Sequence, residues 1–426
     1  MSFLGGLLLL SSCAHPQEDF ESSVAELGEE WSTNLQAPMG TAFRPDWDAA
    51  VRHLLEHNPS IRQSEEAVRR AERGISEVYR DLIPAPDLNL RVTDALDDLD
   101  QFGEDGLSLS VGAFIRLSGV FFLPRDLYAA RLMVLGTRIA DRVAKREHIV
   151  QLWVAFRQMR ELEMERDRVE GLERLVQRLP AGMASTENRR VRDARLRLEE
   201  AFSDTQENLI ELLNQRDAPI PELSTAPNYS PPELPIFEKL LSDSSISREV
   251  AAVELLRAYA RIDGAKLDRW PRPDLYVYGG DFFEYRNRES DSFDWESTFL
   301  TAGTYYRLDV SGRRAARVDD ARFDAALIEE AVGNRQAGLM RELRAKRSEL
   351  KRIEAELEDL ERRKEILSRL LQHAAPEDFL QRVEQLSMID QERAVYMQTR
   401  IELYAFFLFH DEAFWSDYAF ESPPAL

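Results

Sequence analysis

Between Gly312 and Leu371 the chain carries an apolar seam with almost nothing inside it to stop a helix. Leu350, Ile353, Leu357 and Leu360 recur at steps of three, four and three, and the positions between them are mostly charged. That is the period of a helix burying one stripe against other helices. No proline interrupts the stretch, and after Gly312 glycine recurs only at Gly333 and Gly338. At a rise of about 1.5 Å per residue it would run roughly 90 Å. A rod of that length must lean on other rods.

The rest of the chain supplies them. Asp46 to His57 has a short helical pattern, and Asn58-Pro59-Ser60 caps and opens a second helix that runs to about Leu82. The period then changes to strand spacing: Leu88, Leu90 and Val92 alternate with polar residues, and Leu107 to Leu117 alternates over a longer run. Between them lies an acidic loop carrying Asp94, Asp97, Asp98, Asp100, Glu104 and Asp105. Pro124 is expected to open a helix to about Leu179, with Ile149, Leu152, Phe156 and Met159 on its stripe. Pro180-Ala181-Gly182-Met183 turns the chain, and a helix returns from about Glu187 to Gln215. Six prolines between Ala218 and Pro235 read as a linker without a helix.

The second half repeats this order. Pro271-Arg272-Pro273-Asp274-Leu275 stands where Pro84-Ala85-Pro86-Asp87-Leu88 stood, and Ser311-Gly312 stands where Ser118-Gly119 stood. A helix from Ser247 to Trp270, strands over Tyr276 to Phe283 and Leu300 to Val310, and the long helix follow in turn. The chain turns again at His373-Ala374-Ala375-Pro376 and returns from Glu377 to Phe409. The expected organisation is therefore a leader (1–12), a tether (13–45), a first repeat (46–217), a Pro-rich linker (218–243), a second repeat (244–410) and a tail (411–426).

Charge and composition narrow the class. With 31% charged residues and a net charge of -22, the chain suits long packed helices and argues against a nucleic-acid partner. No run of about 20 apolar residues suggests a transmembrane helix. Phe3 to Leu10 has the length of a signal-peptide core, although no Lys or Arg precedes it. It ends in Leu10-Ser11-Ser12-Cys13, which resembles a lipobox with Cys13 as the lipid attachment site. Cys13 is the only cysteine, so no disulfide forms within the chain.

Two strands per repeat give four per chain, whereas a closed barrel needs about eight. Open strand edges are not tolerated in lipid, so strands that enter a membrane must be completed by further copies. The order of elements, duplicated, resembles the TolC-like outer-membrane efflux channels. The likeness rests on Asn58-Pro59, the prolines before each first strand, and the Ser-Gly that opens each long helix. It also rests on the return-helix runs Val191 to Leu196 and Glu207 to Asn214. That resemblance implies a mostly α fold with a small β part: duplicated long helical hairpins in an α-barrel, and four strands joining a shared transmembrane β-barrel. It further implies a homotrimer in the outer membrane with 12 strands and 12 helices, a periplasmic adaptor and an inner-membrane pump, and no chemistry of its own. The alternative class is a lipid-anchored periplasmic coiled-coil scaffold whose strands form a soluble sheet.

The candidate sites follow. Glu377 and Asp378 start the second return helix and Glu384 lies about two turns on; carboxylates there favour the helix dipole. By the resemblance the same three line a periplasmic gate. Gly182, Met183, Ala374 and Ala375 at the two turns are the candidates for adaptor docking, though the turns differ from the family's glycine-containing pattern. His53-Leu54-Leu55-Glu56-His57 matches a zinc-protease signature but stops at Asn58-Pro59, at a helix end. No catalytic residue, metal or cofactor is assigned.

Overall fold

The structure is a computed structural model, and it describes residues 46–80, 85–93, 106–115, 117–177, 184–215, 227–268, 273–284, 294–306, 311–371, 376–416 and 418. In chain order the first repeat holds α1 (Trp47–His57), α2 (Pro59–Arg80), β1 (Ala85–Thr93), β2 (Gly106–Ile115), α3 (Leu117–Val176) and α4 (Ala184–Leu213). The second holds α5 (Leu234–Ser244), α6 (Ile246–Asp268), β3 (Pro273–Glu284), β4 (Asp294–Tyr306), α7 (Arg313–Leu371), α8 (Pro376–His410) and α9 (Glu412–Trp415). Among the described residues no helix is long and apolar enough to cross a membrane.

The four strands make one antiparallel sheet in the order β1-β2-β3-β4. The pairing of β2 with β3, Leu107 opposite Phe283 through Ile115 opposite Leu275, joins the two repeats. Pro86 sits in β1, an outer strand, and Pro273 is the first residue of β3, the two kinds of place where a missing N–H does least harm. A shift of register between Phe282 and Phe283 bends the last pair. Neither β1 nor β4 has a second neighbour among the described residues, so the sheet is open at both edges.

Below the sheet the helices form four rods. The α3 helix is one continuous rod, and α2 and α4 lie along it in succession. Lys145 meets Glu65 at 2.8 Å and Arg138 meets Glu72 at 2.6 Å on the α2 half, while Val176 packs near Val191 on the α4 half. The α7 helix is the second continuous rod, with α6 and α8 along it: Arg335 meets Glu254 at 2.9 Å, and Lys364 meets Asp390 at 2.7 Å. Both α6 and α8 also pack on α3, so the rods run α2/α4, α3, α6/α8, α7. The two outer rods are the lateral edges of the chain.

The stripes read from the sequence are the buried ones. Leu350, Ile353, Leu357 and Leu360 are buried on α7, and Ile149, Leu152, Phe156 and Met159 on α3. One core at the waist gathers Trp47, Ile61, Trp153, Phe156, Leu209, Leu213, Leu408 and Trp415. A second packs Phe237 and Phe407 against Leu343 and Leu350. Gly312 adopts φ +68°, a conformation that glycine takes without strain, and its carbonyl accepts from the Ala315 and Ala316 amides in the first turn of α7.

Where the pattern departs from the structure, each departure has a physical cause. The helix expected to open at Pro124 starts at Leu117, and Pro124 lies inside α3, in its third turn, where its ring leaves the carbonyl one turn back without an amide donor. Within the supposed linker 218–243, α5 occupies Leu234–Ser244: Pro235 falls in its first turn, and Phe237 and Leu241 bury its inner face. The tail 411–426 is not all tail. Asp411 caps α9, and Trp415 is buried and donates its indole N–H to the Leu408 carbonyl at 2.9 Å.

The end of α4 meets the start of α2 in a polar joint. Asn58 accepts from the Ser60 and Ile61 amides at 3.0 and 3.2 Å and donates to the Leu212 carbonyl at 2.8 Å. Asn214, at φ +48°, ends α4, and its amide side chain donates to the His57 carbonyl at 3.2 Å. Asn58→Ala removes a cap and strands a helix-end carbonyl, so it is expected to cost about 2 kcal/mol. The shift in urea midpoint of the detergent-purified chain measures it; a change within error would deny the joint its role.

Candidate functional site

At the end remote from the sheet, four helix termini converge. Leu172 and Val176 of α3, Val191 of α4, Leu367 and Leu371 of α7, and Phe379, Val383 and Leu386 of α8 form a small apolar cluster. Arg382 closes it by donating to the Leu370 carbonyl at the end of α7, where a cation is favoured.

The acids expected here divide. Asp378 is exposed, 3.9 Å from Arg382 one turn on, and its place in the first turn of α8 suits the helix dipole. Glu384 is half-buried on the same helix. Glu377 belongs to that first turn, but its side chain lies outside the described residues, as do Gly182, Met183, Ala374 and Ala375. Cys13 is outside them too.

Above the cluster lies a belt of charges that sequence reasoning missed. Asp390 of α8, buried to 7% side-chain exposure, receives Lys364 of α7 at 2.7 Å. Arg393 of α8 donates to Glu361 of α7 at 2.5 Å and lies 4.0 Å from Glu161 of α3. Arg168 pairs with Glu165 at 3.3 Å on α3. Burial pushes the Glu161 carboxyl above its ordinary value, against the pull of Arg393 and Arg400. Burial raises Glu165 as well, and the Asp390 charge adds to it. The belt ties α3 of the first hairpin to α7 and α8 of the second. Asp390 had a readable signal: it interrupts the stripe Val383, Leu386, Met397, Ile401 at a buried step.

At the waist Arg146 is the other missed group. It is buried and donates twice to Glu412, at 2.8 and 2.7 Å, with its guanidinium 5.3 Å from the Trp415 ring. Glu412 also accepts the Ile246 amide at 2.9 Å, so one carboxylate joins α3, α6 and α9. Burial, then the Arg146 charge, lowers His410 beside it to about 4.

The zinc-like signature has a structural use. His53 bonds to the Leu213 carbonyl at 3.0 Å and His57 to the His53 carbonyl at 3.2 Å, with the rings stacked 4.2 Å apart. Both histidines hold the α4–α2 joint, and burial lowers the His53 pKa. Among the described residues no cluster suits a metal. What converges in this chain is a set of helix ends held by apolar contact and ion pairs.

No protein-family model matches the sequence, and no curated protein does. Solved structures do match. A CusC structure, studied for the conformational changes accompanying folding and transmembrane channel formation, aligns with a TM-score of 0.67 at 13% identity, over 88% of this chain and 95% of that one. The outer membrane protein VceC of Vibrio cholerae aligns at 0.62 and 14%, over 85% and 96%. The open state of the Neisseria gonorrhoeae outer membrane channel MtrE aligns at 0.59 and 14%, over 86% and 88%. At such identities the likeness establishes the fold, and it is the TolC-like fold.

Proposed function

We propose that the chain forms an exit duct in the outer membrane, three copies to a channel, serving an efflux or type I secretion system with a periplasmic adaptor and an inner-membrane pump. The observation that carries this is the incompleteness of the single chain. Its sheet is open at β1 and β4, and its rods end in two unpartnered edges. On the α7 edge Phe323 is 65% exposed and Ile366 59%, apolar positions that a neighbouring copy would cover. Three copies, as the resemblance implies, close both layers at once. Water-filled lumen and lipid would then lie on opposite faces of the shared barrel.

In this assembly Cys13 carries the lipid anchor. Glu377, Asp378 and Glu384 ring the narrow periplasmic end, and the turns at Gly182-Met183 and Ala374-Ala375 face the adaptor. A groove of about 700 Å³ along the α3–α4 hairpin, floored by Met159, Val169, Leu198 and Phe202, suits a helical partner. The pump supplies the energy, and no bond is made or broken by this chain.

Extraction with mild detergent followed by mass measurement and planar-bilayer recording tests the proposal. The expected result is a stable three-chain particle with discrete conductance steps. Single water-soluble chains without conductance would favour the scaffold instead and overturn the duct.

A further inference from the structure

Where the helices meet the sheet, the surface changes character. The last residues of α2, Tyr79 and Arg80, are both exposed, and so are Lys266 and Leu267 at the end of α6. The first turns of α7 expose Arg313 and Arg317 and contain no acid in the first turn. All six lie within about 8 Å of the strand-facing helix ends, at 1.5 Å per residue.

Arg313 and Arg317 sit where the helix dipole opposes a cation, with no acid in the first turn to offset it. Two acids at this end answer other cations, Asp268 meeting Arg125 at 3.3 Å and Asp319 meeting Arg322 at 3.4 Å, while Asp263 meets Lys266 itself at 3.0 Å on the exposed surface. The link from Thr93 to Gly106 holds six acids and no base, in a chain of net charge -22. Exposed large apolar side chains beside cations, in a band across the end of a sheet, match an amphiphilic partner with a negative head.

We infer that Tyr79, Arg80, Lys266, Leu267, Arg313 and Arg317 form a collar that binds anionic phospholipid headgroups of the leaflet facing the helices. The inference rests on the membrane placement proposed above and adds the partner at its boundary. The apolar members sit at the acyl margin and the cations meet phosphate.

The full chain reconstituted in phosphatidylcholine bilayers, with spin-labelled phosphatidylglycerol or spin-labelled phosphatidylcholine as probe, gives the relative affinity of boundary lipid. The wild type is expected to prefer the anionic probe. Arg313→Gln and Arg317→Gln should each lower that preference by about fivefold, an effect that salt screens. Arg341→Gln, in the middle of α7, should leave it unchanged. Equal preference in wild type and variants overturns the collar alone. A loss of oligomer stability at unchanged lipid preference assigns the residues to contacts between copies and overturns it too. No immobilised lipid of either kind overturns both the collar and the duct.

Discussion

Arg146→Ala is expected to lower unfolding stability by about 3–5 kcal/mol, the loss that follows when one member of a buried ion pair is removed. Three features put it at the upper end of single substitutions. Arg146 is 4% exposed. Its partner Glu412 would be left charged and half-enclosed, with only the Ile246 amide to accept from. The Trp415 ring loses the cation on its face. Because Glu412 joins α3, α6 and α9, the damage is not local: the α6/α8 rod loses its seat on α3. Arg146→Met with Glu412→Gln should recover part of the loss, since replacing both partners leaves no uncompensated charge. Urea titration of the single and double variants, read as a cycle, gives the coupling. Additive losses would show that the pair is not what holds the waist.

Much of the architecture is legible in the sequence because burying one face imposes a period. The seam Leu350 to Leu360 and the stripe Ile149 to Met159 announce their rods, and the repeated Pro-x-Pro-Asp-Leu marks where each rod gives way to a strand. Asn58-Pro59 predicts a cap, and the cap forms. What the period does not carry is pairing between distant positions. Arg146 and Glu412 are 266 residues apart, and nothing near either one points to the other. The α5 helix hides because the prolines before it outweigh the short apolar pattern of Phe237 and Leu241. At the tips, Asp378 and Arg382 are readable as a one-turn pair. Arg393 lies on three helices' common boundary only once two hairpins are packed together. The signature His53-x-x-Glu56-His57 misleads for a related reason: identity and spacing are local, while the Leu213 carbonyl that occupies His53 comes from another helix.

Lys364→Met should both destabilise the belt and make its stability depend on pH. Asp390 is 7% exposed on its side chain, and Lys364 forms an ion pair with it at 2.7 Å. Removing that ammonium takes away one member of a buried ion pair, at a cost of about 3–5 kcal/mol. Glu165 is affected as well. Its carboxyl already lies above its ordinary value through burial, with Asp390 adding to the shift and Arg168, Arg393 and Lys364 opposing it. Removing Lys364 therefore raises it further. A carboxylate whose folded pKa exceeds its unfolded value binds its proton more tightly in the fold, so its charged form costs stability at neutral pH. That cost falls away as pH drops through the folded pKa. The gap between variant and wild type should thus be widest near neutrality and narrow on acidification. Lys364→Met with Asp390→Asn should be nearly flat across the same range. Thermal melts of the three proteins at several pH values decide it: a gap that widens in acid would mean the belt carboxylates are not the groups left exposed to each other. In a planar bilayer the neutral-pH variant should also show larger conductance steps, because the belt is the polar tie between α3 and the α7–α8 hairpin above the apolar cluster at the tips. Unchanged steps beside a destabilised belt would place the restriction at the turns themselves.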